Sequence, residues 1–237
     1  SEGSLKLHLK DLKIHRSKFR QIIQVGLPAG MQGVVFSLSN VLIQSSINSF
    51  GSIAMAGSTA SANVEGFVYN AMNAVYQTAL SFTSQNYGVG KYKRMDRVLL
   101  DCGILSFVIA LVLGCGSYMC GGEILKVYTE DPEVIRCGVE ILSITTVPYF
   151  LCGIMDLFPG ALRGMGHSGV PMILSIIGTV GTRIVWIFWI FPQHRSLYTL
   201  FISYPASWFI TIVLQVICFV FVRRTVHGQL KGTGKAA

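Results

Sequence analysis

AMAGSTASANVEGFVYNAMNAVYQTALSFTSQNYG, residues 54–88, decides how the rest of this chain is read. About 20 helical residues cross a bilayer, so the stretch is long enough to span one. It is nevertheless studded with Ser, Thr, Asn, Gln and Tyr and carries a single acid, Glu65. At 100° per residue, Glu65, Tyr69, Met72 and Tyr76 share one side, and Asn63, Asn70, Gln77 and Ser81 fall roughly opposite. Asn73 adds a further amide near the middle. A helix polar on two faces is poorly suited to lipid and well suited to the inside of a bundle or the wall of a water-filled cavity. Its neighbours in sequence are far more apolar and supply the shield. The expected fold is an all-α integral membrane bundle around a polar interior, which points to transport.

Composition agrees. Of 237 residues 51% are hydrophobic and only 13% charged, where soluble domains carry about 25%. Mean hydropathy is +0.56. Hydropathy and proline breaks place six spans, at about 20–50, 54–87, 98–120, 133–162, 170–191 and 197–222. Residues 1–18 form a basic, mildly amphipathic segment, 19–224 the six-helix lobe and 225–237 a polar tail. Pro28 is expected to be tolerated in the first span or to kink it, and Gly26 and Gly30 form a GxxxG that signals close helix contact. Asp131-Pro132 should cap and start the fourth span. Pro148 and Pro159 should interrupt that span. Trp186 and Trp189 suit an interfacial belt.

The formal charge of +8 invites a nucleic-acid reading, but the placement of the charges answers it. Six of the Lys and Arg residues lie at or before the start of the first span, four follow the second, Arg163 follows the fourth and four, Arg223 to Lys235, follow the last. The other side holds only Lys126, Arg136 and Arg195. By the positive-inside rule both termini face the cytoplasm of a multi-pass protein of the cell membrane. No nucleic-acid partner is needed to explain the basicity. The six cysteines form no CxxC, and no metal or cofactor spacing appears. No catalytic constellation appears either: there is no G-x-S-x-G, no H-E-x-x-H and no intramembrane His/Asp pair, so a non-enzyme is expected.

Two stripes on the first span, Gln32/Ser39/Ser46 and Ser37/Asn40/Gln44/Asn48, also want partners. Three charged residues lie well inside spans, Glu65, Asp156 and Arg183. Each costs at least about 2.5–3.5 kcal/mol at a bilayer centre and so needs water, a partner or a purpose. Glu65, with Tyr69 and Tyr76 along its face, suits exchange of a proton or coordination of Na⁺. It is equally suited to inter-helix hydrogen bonds or to pairing with Arg183. Asp156 is either a coupling carboxylate or the partner of Arg163, seven residues on; the pairing is the expectation. Arg183 is expected in a structural ion pair, with a substrate or gating role as the alternative. The candidate binding set is Gln32, Asn40, Gln44, Asn63, Glu65, Tyr69, Asn73, Tyr76, Asp156 and Arg183, with Na⁺ possible near Glu65.

GLPAGMQGVVFSLSNVLIQSSINSFG, SFTSQNYGVGKYKRMDRV and LRGMGHSGVPMI together resemble the seventh, eighth and tenth-to-eleventh helix signatures of multidrug and toxic compound extrusion (MATE) transporters. The resemblance runs over about residues 19–223. It implies one lobe of a twelve-helix transporter whose two six-helix lobes face a central cavity. It also implies expulsion of organic cations and drugs in exchange for H⁺ or Na⁺. The chain would then be the C-terminal lobe, residues 1–18 the end of the inter-lobe loop, and an N-terminal six-helix lobe its partner; the opening Ser agrees with a piece of something longer. Some members carry a carboxylate in the first helix of this lobe, where VVFSLSN has none, so that site does not carry over. Aromatic and amide side chains facing inward would stack on a flat cation. The alternatives are a lipid-linked oligosaccharide flippase of the same superfamily, which wants a more cationic cavity than Arg183 alone offers, an intramembrane enzyme, and a membrane assembly subunit without a cavity.

Overall fold

A computed structural model describes residue 13 and residues 15–233, with side chains up to residue 224. Most of the basic segment 1–18, and the side chains of the tail 225–237, lie outside the described residues. Every regular element among the described residues is helical. Helix α1 is Arg16–Asn48 and carries Pro28 in its interior without a break. Helix α2 is Ser52–Gly88, 37 residues, or about 55 Å of rod. Helix α3 is Tyr92–Met119 and α4 the single turn Gly121–Leu125. Helix α5 is Pro132–Thr145, and the Asp131 carboxylate accepts the Glu133 N–H at 2.9 Å, the cap expected of Asp-Pro.

Helix α6 is Tyr149–Gly164, bent by 48° against α5, so the fourth span is a broken one. The break falls at Pro148, whose ring disfavours a helical conformation in the residue before it. Pro159 stays inside α6 and breaks nothing. The fifth span, Gly169–Ile190, is one rod of alternating winding. Its parts are α7 (Gly169–Ser175), a π-helical stretch Ile176–Gly181, α8 (Thr182–Val185) and a second π-helical stretch Trp186–Ile190. Helices α9 (Leu197–Phe201) and α10 (Ser203–Thr233) make the last span, and α10 stays helical well past the end expected at residue 222.

Four of these rods are long and apolar enough to cross a membrane, and the α5–α6 pair makes five. Helix α2 has the length of a sixth but not the apolarity. It sits against α3, α5 and α6, while α10 packs on α6 and the fifth rod. Val68 and Met72 of α2, Ala110 of α3, Tyr149, Cys152 and Met155 of α6 and Trp208 of α10 form one buried cluster. Gly153 makes this possible: a Cβ there would collide with Ser106 of α3 and Met72 of α2. Outside, Ile22, Leu38, Val112, Phe188 and Trp189 are exposed, an apolar surface suited to hydrocarbon or to a second lobe.

Two packing expectations are corrected. Gly26 and Gly30 meet no neighbour within the lobe, so their GxxxG joins no helices here. The second polar face of α2 is not covered: Asn63, Asn70, Gln77 and Ser81 are all exposed. The reason is that α2 turns its small and apolar stripe inward, Ala60, Val64, Val68, Met72, Val75 and Ala79. With that stripe buried, one polar side flanks the interior and the opposite side is left on the outside of the lobe. Trp186 donates its Nε1–H to the Thr199 carbonyl at 2.8 Å.

Candidate functional site

The polar stripe of α1 meets the Glu65 side of α2 across a cavity of about 550 Å³. Ser37, Asn40 and Gln44 supply the α1 wall, Glu65 and Tyr69 the α2 wall, and Asp156 and Arg183 reach it from α6 and α8. The 3–4 residue spacing within each group is what puts these side chains on one face of each helix. Six of the ten residues singled out in the sequence therefore line one space: Asn40, Gln44, Glu65, Tyr69, Asp156 and Arg183.

The other four do not. Gln32 and Tyr76 are engaged by Arg163, which donates from Nη1 to Tyr76 Oη at 2.7 Å and from Nη2 to Gln32 Oε1 at 2.5 Å. One guanidinium fork thereby ties the end of α6 to α1 and α2. Asn63 lies on the exposed side of α2, and Asn73 is half-buried away from the cavity.

The expected ion pairs are absent. Among the described residues the salt bridges are Arg97–Asp101, Lys126–Glu123 and Arg223–Asp96, none of them in the cavity. Asp156 forms no salt bridge with Arg163, whose Nη1 and Nη2 go to Tyr76 and Gln32 while its Nε is buried without a partner; the Asp156 carboxylate lines the cavity. Glu65 does not pair with Arg183. Its Oε1 instead lies 2.5 Å from the hydroxyl of Thr145, the last residue of α5, at the joint of the broken span. Thr145 Oγ1 also stands 3.0 Å from the Ile141 carbonyl, but it has one proton to give and the carboxylate contact is the shorter.

Arg183 is only 5% exposed and has neutral partners. Nε donates to Ser207 Oγ at 3.3 Å and Nη1 to Asn40 Oδ1 at 3.0 Å, while the guanidinium carbon sits 4.2 Å above the Tyr204 ring. Such a stack on an aromatic face is a favourable seat for a cation. The turn that carries Arg183 lies between the two π-helical stretches, and windings of this kind re-aim side chains and recur at functional sites. Thr179 Oγ1, 2.9 Å from Thr211 Oγ1, fixes the same rod to α10.

Sequence reading missed the aromatic wall. Tyr204 stacks on Phe201 at 6.0 Å and meets Trp208 edge-on at 6.1 Å, and Trp208 meets Tyr149 at 5.4 Å. All four rings line the cavity. The signal was available, since residues 201, 204 and 208 recur at helical spacing. Thr145, Ser207 and the Arg163 clamp left no such trace. Chemically, the space offers two carboxylates and one guanidinium among amides, hydroxyls and flat rings, a lining that suits small charged aromatic molecules.

The family model described as MatE matches residues 28–189. The chain is 24% identical over 213 residues to a probable multidrug resistance protein, YoeA, of Bacillus subtilis, covering 89% of this chain and 46% of that protein. It is 24% identical over 168 residues to the probable multidrug resistance protein NorM of Thermotoga maritima, covering 71% of this chain and 36% of that one. The chain thus spans about half the length, or less, of these curated relatives. In fold it resembles the Vibrio cholerae MATE transporter VcmN in its bent form, with a TM-score of 0.80 at 17% identity, over 91% of this chain and 49% of that one. A mutant form of VcmN matches with a TM-score of 0.81, again at 17% identity, over 93% of this chain and 50% of that one.

Proposed function

The chain belongs to the MatE family, a family of multi-pass membrane transporters, and from that premise we propose that it is the C-terminal lobe of a drug-efflux antiporter of the cell membrane. It exports organic cations or drugs in exchange for H⁺ or Na⁺, working with an N-terminal six-helix lobe, and its two termini are cytoplasmic. The observation that carries the reading is the cavity itself. Glu65 and Asp156 face a space of about 550 Å³ inside a bundle whose outer surface is apolar. Charged groups at that depth are expensive, and water or ligand in the cavity relieves the cost.

Glu65 gives the exchange a mechanical consequence. A proton or Na⁺ taken up at its carboxylate competes with the Thr145 hydroxyl for the same oxygen. That bond ends at the joint between α5 and α6, so occupancy of the carboxylate bears on the bend of the broken span. Aromatic faces of Tyr204 and Trp208 supply a seat for a flat ligand, whose positive charge the acids attract.

The test is ethidium transport by everted membrane vesicles carrying the native full-length protein, driven by an imposed pH or Na⁺ gradient. E65Q and D156N each keep a hydrogen-bonding oxygen but remove the charge, and each is expected to reduce gradient-driven transport by about tenfold or more. Transport that proceeds at wild-type rate in both variants would overturn the reading.

A further inference from the structure

We infer that Arg183 is a subsite for an organic anion, the place where the cavity receives the carboxylate of a ligand that is also cationic. This rests on the efflux reading and adds the charge pattern of the ligand to it.

Guanidinium geometry makes the case. Arg183 has five N–H donors in a planar fork. One is used on Ser207 through Nε, and one on Asn40 through Nη1. Tyr204 covers one face of the plane. Three donors remain, two on Nη2 and one on Nη1. Nη2 has no partner among the described residues, yet it is not among the buried polar atoms sealed from solvent. Arg183 lines the cavity, so these donors have a space to reach into. Two unpaired donors on Nη2 and one on Nη1 are enough to take a carboxylate through two hydrogen bonds.

Among the described residues no anion pairs with this cation. Its partners are an amide oxygen, a hydroxyl and a ring, all neutral. Neither acid of the cavity pairs with it: Glu65 meets Thr145, and Asp156 makes no salt bridge. A structural arginine at this depth ordinarily holds a carboxylate of its own chain, because a buried unpaired charge is costly. Here the anion is left for the ligand to bring. Its neutral partners instead fix position, with Asn40 and Ser207 taking two of its donors and the Tyr204 ring lying 4.2 Å from its guanidinium carbon. Across the same space Glu65 and Asp156 offer the complementary charge, so the site matches a molecule with a positive centre and a carboxylate on one aromatic frame.

A matched pair of xanthene dyes tests this. Rhodamine 110 is cationic with a free carboxylate, and rhodamine 123 is its methyl ester, which leaves only the positive charge. Binding is read by fluorescence polarisation on the purified native full-length protein. Wild type is expected to favour the acid over the ester. R183Q is expected to lower that acid-to-ester affinity ratio by about tenfold or more, the worth of a charge-assisted bidentate contact. R183K keeps the charge but loses the planar fork, and should give an intermediate ratio. The ratio is insensitive to the fraction of protein that folds. A wild-type ratio no higher than that of R183Q, with the ester still bound, overturns the anion subsite and leaves the efflux reading standing. Failure of wild type to bind either dye overturns both.

Discussion

Thr145 presents its hydroxyl to Glu65 across 2.5 Å, so the polar side of α2 grips the last residue of α5 just before the chain bends by 48°. A membrane span broken in mid-course exposes backbone groups that need partners, and a carboxylate fixed at the break links that joint to the cavity. Glu65 is therefore both a wall of the cavity and a brace of the broken helix.

Removing the brace has a measurable cost. T145V leaves the Glu65 carboxylate without its donor and is expected to destabilise the protein by about 1–3 kcal/mol. T145S keeps the hydroxyl and should lose far less. Thermal unfolding of the full-length protein in detergent distinguishes them; equal melting of T145V and wild type would remove the bond from the account.

Arg163 holds three helices through two side chains 87 and 131 residues away in sequence. Y76F and R163M should therefore be non-additive, with a coupling of about 0.5–3 kcal/mol in a double-mutant cycle. Additive losses would mean that the Arg163–Tyr76 contact contributes nothing of its own.

Glycines in the lobe divide into two sorts. A Cβ at Gly178 would press into Thr211 of α10, so G178A is expected to cost about 1–3 kcal/mol by overpacking. Gly26 and Gly30 face open space, and G26A or G30A should be neutral or stabilise by up to about 1 kcal/mol through helix propensity. The comparison is again one of melting temperature, and the reverse order would contradict the packing.

Asn40 accepts from Arg183 at 3.0 Å, so N40D places a carboxylate on the guanidinium from within the chain. An internal anion competes with one from the ligand. N40D is expected to weaken rhodamine 110 binding by about tenfold or more relative to rhodamine 123. A preference for the acid that survives N40D would place the dye's carboxylate elsewhere.

Much of this was visible in the sequence. The apolar helices could be read from hydropathy, which α2 lacks, the cap at Asp131 from Asp-Pro, and the inward stripe Ser37/Asn40/Gln44 from its spacing. Glu65, Asp156 and Arg183 stood out because charge is rare and costly in a membrane span, and all three line the cavity. Charge arithmetic then suggested pairs, Asp156 with Arg163 and Glu65 with Arg183, that the structure replaces with Tyr76, Gln32, Asn40, Ser207 and Thr145. Opposite sign alone does not make a partner. A neutral oxygen at the right distance takes a guanidinium N–H as readily as a carboxylate does, and nothing in the order of residues marks which oxygen that is.

What the chain order determined was local. A 3.6-residue repeat settles which side chains share a face, and apolar length settles which segments suit a bilayer, because both depend on one helix alone. What only the tertiary structure decided was which faces meet: that α2 hides Val64, Val68 and Met72 and leaves Asn70 and Gln77 outside, and that Arg183 meets Asn40. Those outcomes follow from the rotation and crossing of all the helices together. Close packing fixes them collectively, so no single stretch contains them.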